Sequence, residues 1–112
     1  MLQEKPSRED LLRAALHHET VTTVDIKKVF VPKAVAVGKH LHPCPVVGYI
    51  VAGKVLFQVE GEEKKILNQG DAFYEPKNKT ILHFDNASTE EPLIFIAFYL
   101  KEAGEDLIKM LD

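Results

Sequence analysis

Gly38-Lys39-His40-Leu41-His42-Pro43-Cys44-Pro45 runs straight into Val46-Val47-Gly48-Tyr49-Ile50-Val51-Ala52-Gly53, and these sixteen residues decide how the chain is read. In an extended segment His40 and His42 project from the same face, so two imidazoles can chelate one cation through side chains alone. Pro43 cannot donate to a strand ladder, which places a break in the pairing at a rim rather than in mid-sheet. The stretch predicts a histidine pair at the mouth of something built from strands.

Strand signals continue on both sides. Upstream, Val21 to Val31 is rich in β-branched and aromatic residues and is closed by Pro32, and Ala34–Val37 predicts a short extended piece. Downstream, Val47–Val51 and Lys54–Val59 flank Ala52-Gly53, and Glu60-Gly61-Glu62 has the polarity and glycine of a hairpin turn. Lys64–Leu67, Ala72–Tyr74 and Thr80–Phe84 follow as short strands separated by Asn68-Gln69-Gly70-Asp71 and Pro76-Lys77-Asn78-Lys79. Leu93 to Leu100 shows no alternation, which predicts a strand buried on both faces, central in its sheet or covered by a subunit contact. Short strands with turn signals every eight to twelve residues predict an all-β sandwich or barrel. Helices are expected only at the ends. Ser7-Arg8-Glu9-Asp10 has capping-box spacing ahead of Leu11, Leu12, Ala15 and Leu16, predicting a helix over about 7–18, and Glu105–Leu111 predicts a short closing one.

The 112 residues suffice for one core and not two, and 46% hydrophobic with 28% charged residues is a globular balance. A net charge of −3 and a pI near 5.9 give no electrostatic basis for nucleic acid or an anionic membrane as partner. Cys44 is the single cysteine, which excludes an internal disulfide. The first residues show no basic-then-apolar leader pattern, and the longest apolar run falls far short of the ~20 residues that span a bilayer, so the expectation is a cytoplasmic protein.

The order glycine, His40-Leu41-His42, then a strand ending in Gly53 resembles the first motif of the cupin superfamily. Gly70-Asp71-Ala72-Phe73-Tyr74-Glu75-Pro76, continuing to Asp85-Asn86-Ala87-Ser88, resembles its second. The likeness covers roughly residues 24–100 and resembles the small single-domain cupins. It implies a double-stranded β-helix, or jelly-roll, barrel over 20–101, with an N-terminal helical extension over 1–19 and a C-terminal helix over 102–112. In metal-binding cupins the first motif supplies two histidines and a glutamate and the second a third histidine. Here Val46 stands nearest the glutamate position, while Asn78 and Ile81 stand where glycine and the third histidine are usual.

On a regular strand His83, two residues beyond Ile81, points to the same face, so a displaced three-histidine metal site from His40, His42 and His83 is the expectation. Such a site suits zinc, iron, nickel, manganese or copper, and Cys44, sharing the pair's parity, would favour a softer metal. Tyr49, Phe57 and Ile81 are expected to line a ligand pocket. Glu75, before a proline, reads as a solvated loop acid. The function expected is a small cupin with a degenerate site that binds a small molecule, a divalent metal or both, as a homodimer. The alternatives are a metal-dependent dioxygenase, isomerase or decarboxylase and a structural dimer without a site.

Overall fold

The computed structural model describes residues 4–111. Nine strands form: β1 Thr23–Val31, β2 His40–Leu41, β3 Val46–Ala52, β4 Lys54–Val59, β5 Lys65–Asn68, β6 Ala72–Glu75, β7 Ile81–Asn86, β8 Leu93–Lys101 and β9 Lys109–Met110. They build two antiparallel sheets, of order β1-β8-β3-β6 and β5-β4-β7-β2-β9. Among the described residues no strand pairing joins one sheet to the other, so the expected barrel is an open sandwich of two facing sheets.

The core follows from alternation. Leu93, Phe95, Ala97 and Tyr99 of β8 point inward and are buried, while Ile94, Ile96 and Phe98 point outward and are half-buried. β8 lies between β1 and β3, the central position its unalternating sequence requires. Phe57 and Phe84 from one sheet interlock with Phe73 and Phe95 from the other, with ring centroids 4.8–5.9 Å apart for the Phe84 contacts. Gly48 lies opposite Phe73 in the β3–β6 ladder, and a Cβ there would run into the Phe73 ring and come within 2.6 Å of the Ile96 carbonyl. This aromatic cluster fills the core between the sheets, and Phe84 and Phe95 also border the space beside β2.

Neither terminal helix forms among the described residues. Residues 7–18 run without regular structure, and His17 and His18 have φ of 50° and 64°, left-handed values that end any helical path. A helix of about a dozen residues is marginal in water unless an apolar face is packed. Here the segment instead lies over the outer face of the four-stranded sheet, with Leu11 and Leu12 beside Val47, Tyr49 and Phe98, and Tyr74 Oη donating to the Ala15 carbonyl at 3.4 Å. At the other end, β2 offers an unpaired edge. Lys109 and Met110 fill it as β9, pairing with Leu41 and His40, so backbone pairing overrides the helical spacing of Leu107, Ile108 and Leu111. The Ala34–Val37 piece is reduced to one bridge, Ala36 to Asp85.

Candidate metal centre

Among the described residues, one group of three or more His, Cys, Asp and Glu side chains gathers ligand atoms within 4.8 Å of one another: His40, His42 and Glu75. His40 and His42 come from β2 and the turn after it, Glu75 from the end of β6, and all three are at most 3% exposed. His42 Nε2 lies 3.1 Å from Glu75 Oε1, and His40 Nε2 lies 3.6 Å from Glu75 Oε2, beyond hydrogen-bond reach. Glu75 Oε2 is buried with no hydrogen-bond partner among the described residues.

The backbone fixes the tautomers. His40 Nδ1 donates to the Gly38 carbonyl and His42 Nδ1 to the Leu107 carbonyl, each at 2.7 Å. A carbonyl only accepts, so both protons sit on Nδ1 and both Nε2 lone pairs turn toward the carboxylate. Neutral imidazoles so held would set lone pairs against a buried anion. A positive charge between them resolves the conflict, as a proton or as a cation. Without a cation the charge that the site calls for is a proton shared among the imidazoles and the carboxylate, and the His40 shift reflects that demand. Burial opposes the charged form of His40, but the Glu75 carboxylate and the Gly38 carbonyl outweigh that and raise its pKa above the ordinary 6.5. Burial likewise pushes Glu75 up, but the two imidazoles outweigh it and hold the carboxyl below its ordinary 4.5.

These residues fit a metal. Two Nε2 donors, each with its Nδ1–H on a carbonyl, are the arrangement by which proteins orient ligating histidines, and the orphaned carboxylate oxygen is a third donor.

A cavity of about 100 Å³ adjoins the trio. Its other walls are apolar, from Val29, Val37, Phe84, Phe95 and Ala97, with Ile108 of the C-terminal segment beside them. Tyr99 is its one further polar side chain, 8% exposed, with its ring edge-on to His42 at 5.7 Å. Burial, with Glu75 a lesser contributor, raises the Tyr99 phenol above its ordinary value.

The family profile described as "Cupin domain" matches residues 28–99. The chain belongs to the cupin family. Among solved structures, this cupin is similar to a cupin-like protein from Thermotoga maritima (TM-score 0.66, 23% identity, covering 79% of this chain and 64% of that one). It is also similar to the DMSP lyase DddQ from Ruegeria pomeroyi (0.63, 19%, 78% and 42%) and to oxalate decarboxylase from Bacillus subtilis (0.68, 21%, 80% and 24%). The chain thus spans less than two thirds of the length of each of these, and at such identities the likeness is one of fold. No curated protein matches the sequence.

Within the cupin frame, the structure accounts for each residue singled out from sequence. Val46 lines the cavity, and its direct partner across the β3–β6 ladder is Glu75. Facing residues of adjacent strands have Cβ atoms ~5 Å apart, so a carboxylate missing at Val46 returns from the neighbouring strand. Glu75 is therefore no solvated acid, and its parity with inward-facing Phe73 is the signal that placed it inside.

His83 is not brought to the pair. Gln58 faces His83 while Val59 faces Ile81, so β7 carries one extra residue there, a bulge that flips parity. Ile81 stays fully buried opposite His40, and His83 turns to the half-exposed side, where its Nδ1 lies 2.8 Å from Asp85 Oδ2. Of the expected pocket residues, Tyr49 points outward at 39% exposure, and Phe57 and Ile81 pack in the core away from the cavity lining. Cys44 is fully buried and outside the trio, and burial, then Glu105, raises its thiol pKa.

Proposed function

We propose that this cupin holds a divalent metal on His40, His42 and Glu75 and uses it to bind a small molecule in the adjoining cavity. The observation that carries the reading is the pair of Nε2 lone pairs, fixed by two backbone carbonyls, converging on a buried carboxylate with an orphaned oxygen. Two imidazoles and one carboxylate with open positions suit zinc or iron(II), and nickel, manganese and copper are compatible with the same donors. A bound metal would supply Lewis acidity toward a ligand oxygen. The protein's share is to orient the imidazoles and to wall the cavity with apolar side chains. An enzymatic role as dioxygenase, isomerase or decarboxylase would use this same centre. Elemental analysis of protein purified without a histidine tag tests the reading. About one metal per chain is expected, lost in the His40→Ala/His42→Ala double variant. Trace metal that the double variant leaves unchanged would overturn it.

The proposal includes a homodimer. Val24, Ile26 and Phe30 of β1 are 50%, 61% and 63% exposed on the outer face of the four-stranded sheet, continuous with Ile94, Ile96 and Phe98 of β8. The four strands, of nine, nine, seven and four residues, with residues 9–12 laid over part of them, give a planar footprint of roughly 450 Å², of the order needed for the ~800 Å² of accessible surface that each partner of a stable dimer buries. Lys28 interrupts this face near one edge, while Glu9 and Asp10 lie over the opposite edge, so a two-fold axis pairs them across copies. Sedimentation analysis should give a dimer that Phe30→Glu dissociates. A wild-type monomer at high micromolar concentration would refute it.

A further inference from the structure

We propose that the ligand of this centre is a small monoanion with an apolar body, such as a short-chain monocarboxylate, anchored by Tyr99. The inference rests on the metal reading and goes beyond it through charge, size and one unpartnered hydroxyl.

Charge comes first. With both imidazoles neutral at Nε2, a divalent cation and the Glu75 carboxylate leave a net charge of +1 in a site whose protein ligands are at most 3% exposed. A monoanion brings the buried centre to neutrality, whereas a dianion leaves an uncompensated negative charge in low dielectric. Among the described residues none that lines the cavity is a lysine or arginine, so the metal is the cation that the ligand meets there.

Size and lining come next. An apolar cavity of ~150 Å³ holds benzene, so the about 100 Å³ here takes a body smaller than a phenyl ring. That excludes sugars, sugar phosphates and nucleotides from full burial. The wall facing the trio consists of Val29, Val37, Phe84 and Phe95, which offer a ligand tail no hydrogen bond. The tail is therefore hydrocarbon or similarly apolar, and each buried methylene adds ~0.8 kcal/mol of transfer free energy, close to a fourfold gain in affinity.

Tyr99 supplies the remaining polar contact. It is 8% exposed, lines the cavity, and its hydroxyl makes no hydrogen bond among the described residues. Tyr99, Val46 and Glu75 form one inward row across β8, β3 and β6. Because Tyr99 lines the same cavity as the trio with its ring edge-on to His42, its phenol is the group available to donate to a ligand oxygen there.

The test uses cobalt(II)-loaded protein, with metal content measured first and ligand binding read from the visible ligand-field spectrum. Across formate, acetate, propionate and butyrate, affinity is expected to rise by a few-fold per methylene. Succinate, in which a carboxylate replaces the terminal methyl of butyrate, should bind at least tenfold more weakly than butyrate, and benzoate, too large to be fully buried, should also bind more weakly than butyrate. Tyr99→Phe should weaken butyrate roughly tenfold, the worth of a hydrogen bond to a charged acceptor, with cobalt stoichiometry unchanged. Failure to take up cobalt would overturn the metal reading and this inference with it. Cobalt uptake with no butyrate response, or with succinate binding as tightly as butyrate, would overturn this inference alone.

Discussion

Replacing Glu75 by glutamine keeps the side chain's shape and removes its charge, and the structure gives that change opposite signs in different conditions. In metal-free protein at a pH above the folded-state pKa of His40, which Glu75 and the Gly38 carbonyl raise above the ordinary 6.5, the His40 Nε2 carries no proton. The carboxylate then faces two Nε2 lone pairs with Oε2 unpartnered. Relief of an unsatisfied buried polar group is worth ~1–3 kcal/mol, and the glutamine amide can donate to His42 Nε2. Glu75→Gln should therefore raise the metal-free melting temperature, at ~4 °C per kcal/mol for a domain of this size, by roughly 4–12 °C.

At pH 5.5 the sign reverses. A raised histidine pKa contributes stability that is complete below the ordinary value and lost as pH climbs through the folded one. A lowered carboxyl pKa contributes stability present above its ordinary value and lost as pH falls through the folded one. Between those limits the imidazolium–carboxylate pair is intact, and glutamine strands the imidazolium at a cost of up to ~3–5 kcal/mol.

Metal separates the outcomes further. At a metal concentration one hundred times the dissociation constant, binding stabilises the wild type by about 2.7 kcal/mol, or ~11 °C. Loss of a direct ligand costs at least ~100-fold in affinity, leaving the variant about 0.4 kcal/mol, or ~2 °C, at the same concentration. Far-UV circular dichroism is the suitable monitor, because the chain has no tryptophan. A variant that keeps the full metal-induced shift would show that Glu75 is not a ligand. One destabilised by several kcal/mol without metal even at alkaline pH would show that a proton still bridges the site there.

Three further outcomes are expected. His83→Ala should leave metal content unchanged and cost no more than ~1 kcal/mol, since its partly exposed contact with Asp85 is of the surface kind; metal loss on this substitution would place His83 at the centre after all. Metal affinity, measured by competition with a chelator, should rise with pH through the raised His40 pKa because proton and cation contend for Nε2, and a flat profile between pH 6 and 8 would contradict that competition. Gly48→Ala should lower stability by ~1–3 kcal/mol through overpacking against Phe73 and the Ile96 carbonyl, and an unchanged denaturation midpoint would mean that the ladder yields at no cost.

Much of the architecture was legible in local pattern. The Thr23–Val31, Lys54–Val59 and Leu93–Lys101 strands follow from residue type and turn chemistry within a few positions, and the His40-Leu41-His42 motif marks the rim and the family. The third ligand was not local. Glu75 joins the histidines because β6 pairs with β3 in a register that sets it opposite Val46, a relation between residues 29 apart in sequence. His83 failed for the same class of reason: strict alternation from Ile81 points it inward, and a single extra residue in β7 cancels that. The terminal helices had sound spacing, but one apolar edge found a sheet face to cover, and the other segment found an unpaired strand.

The Leu107 carbonyl that holds His42 lies sixty-five residues downstream of it. During synthesis both histidines are in place in the chain long before that carbonyl exists, so until then the His42 ring is free to turn and to present either nitrogen. The tautomer that faces Glu75 is enforced only when residues 107–110 settle along β2. Ion capture in the orientation described here is thus a late event in biogenesis, and metal supplied to a nascent or truncated chain meets a different set of donors from metal supplied to the finished protein.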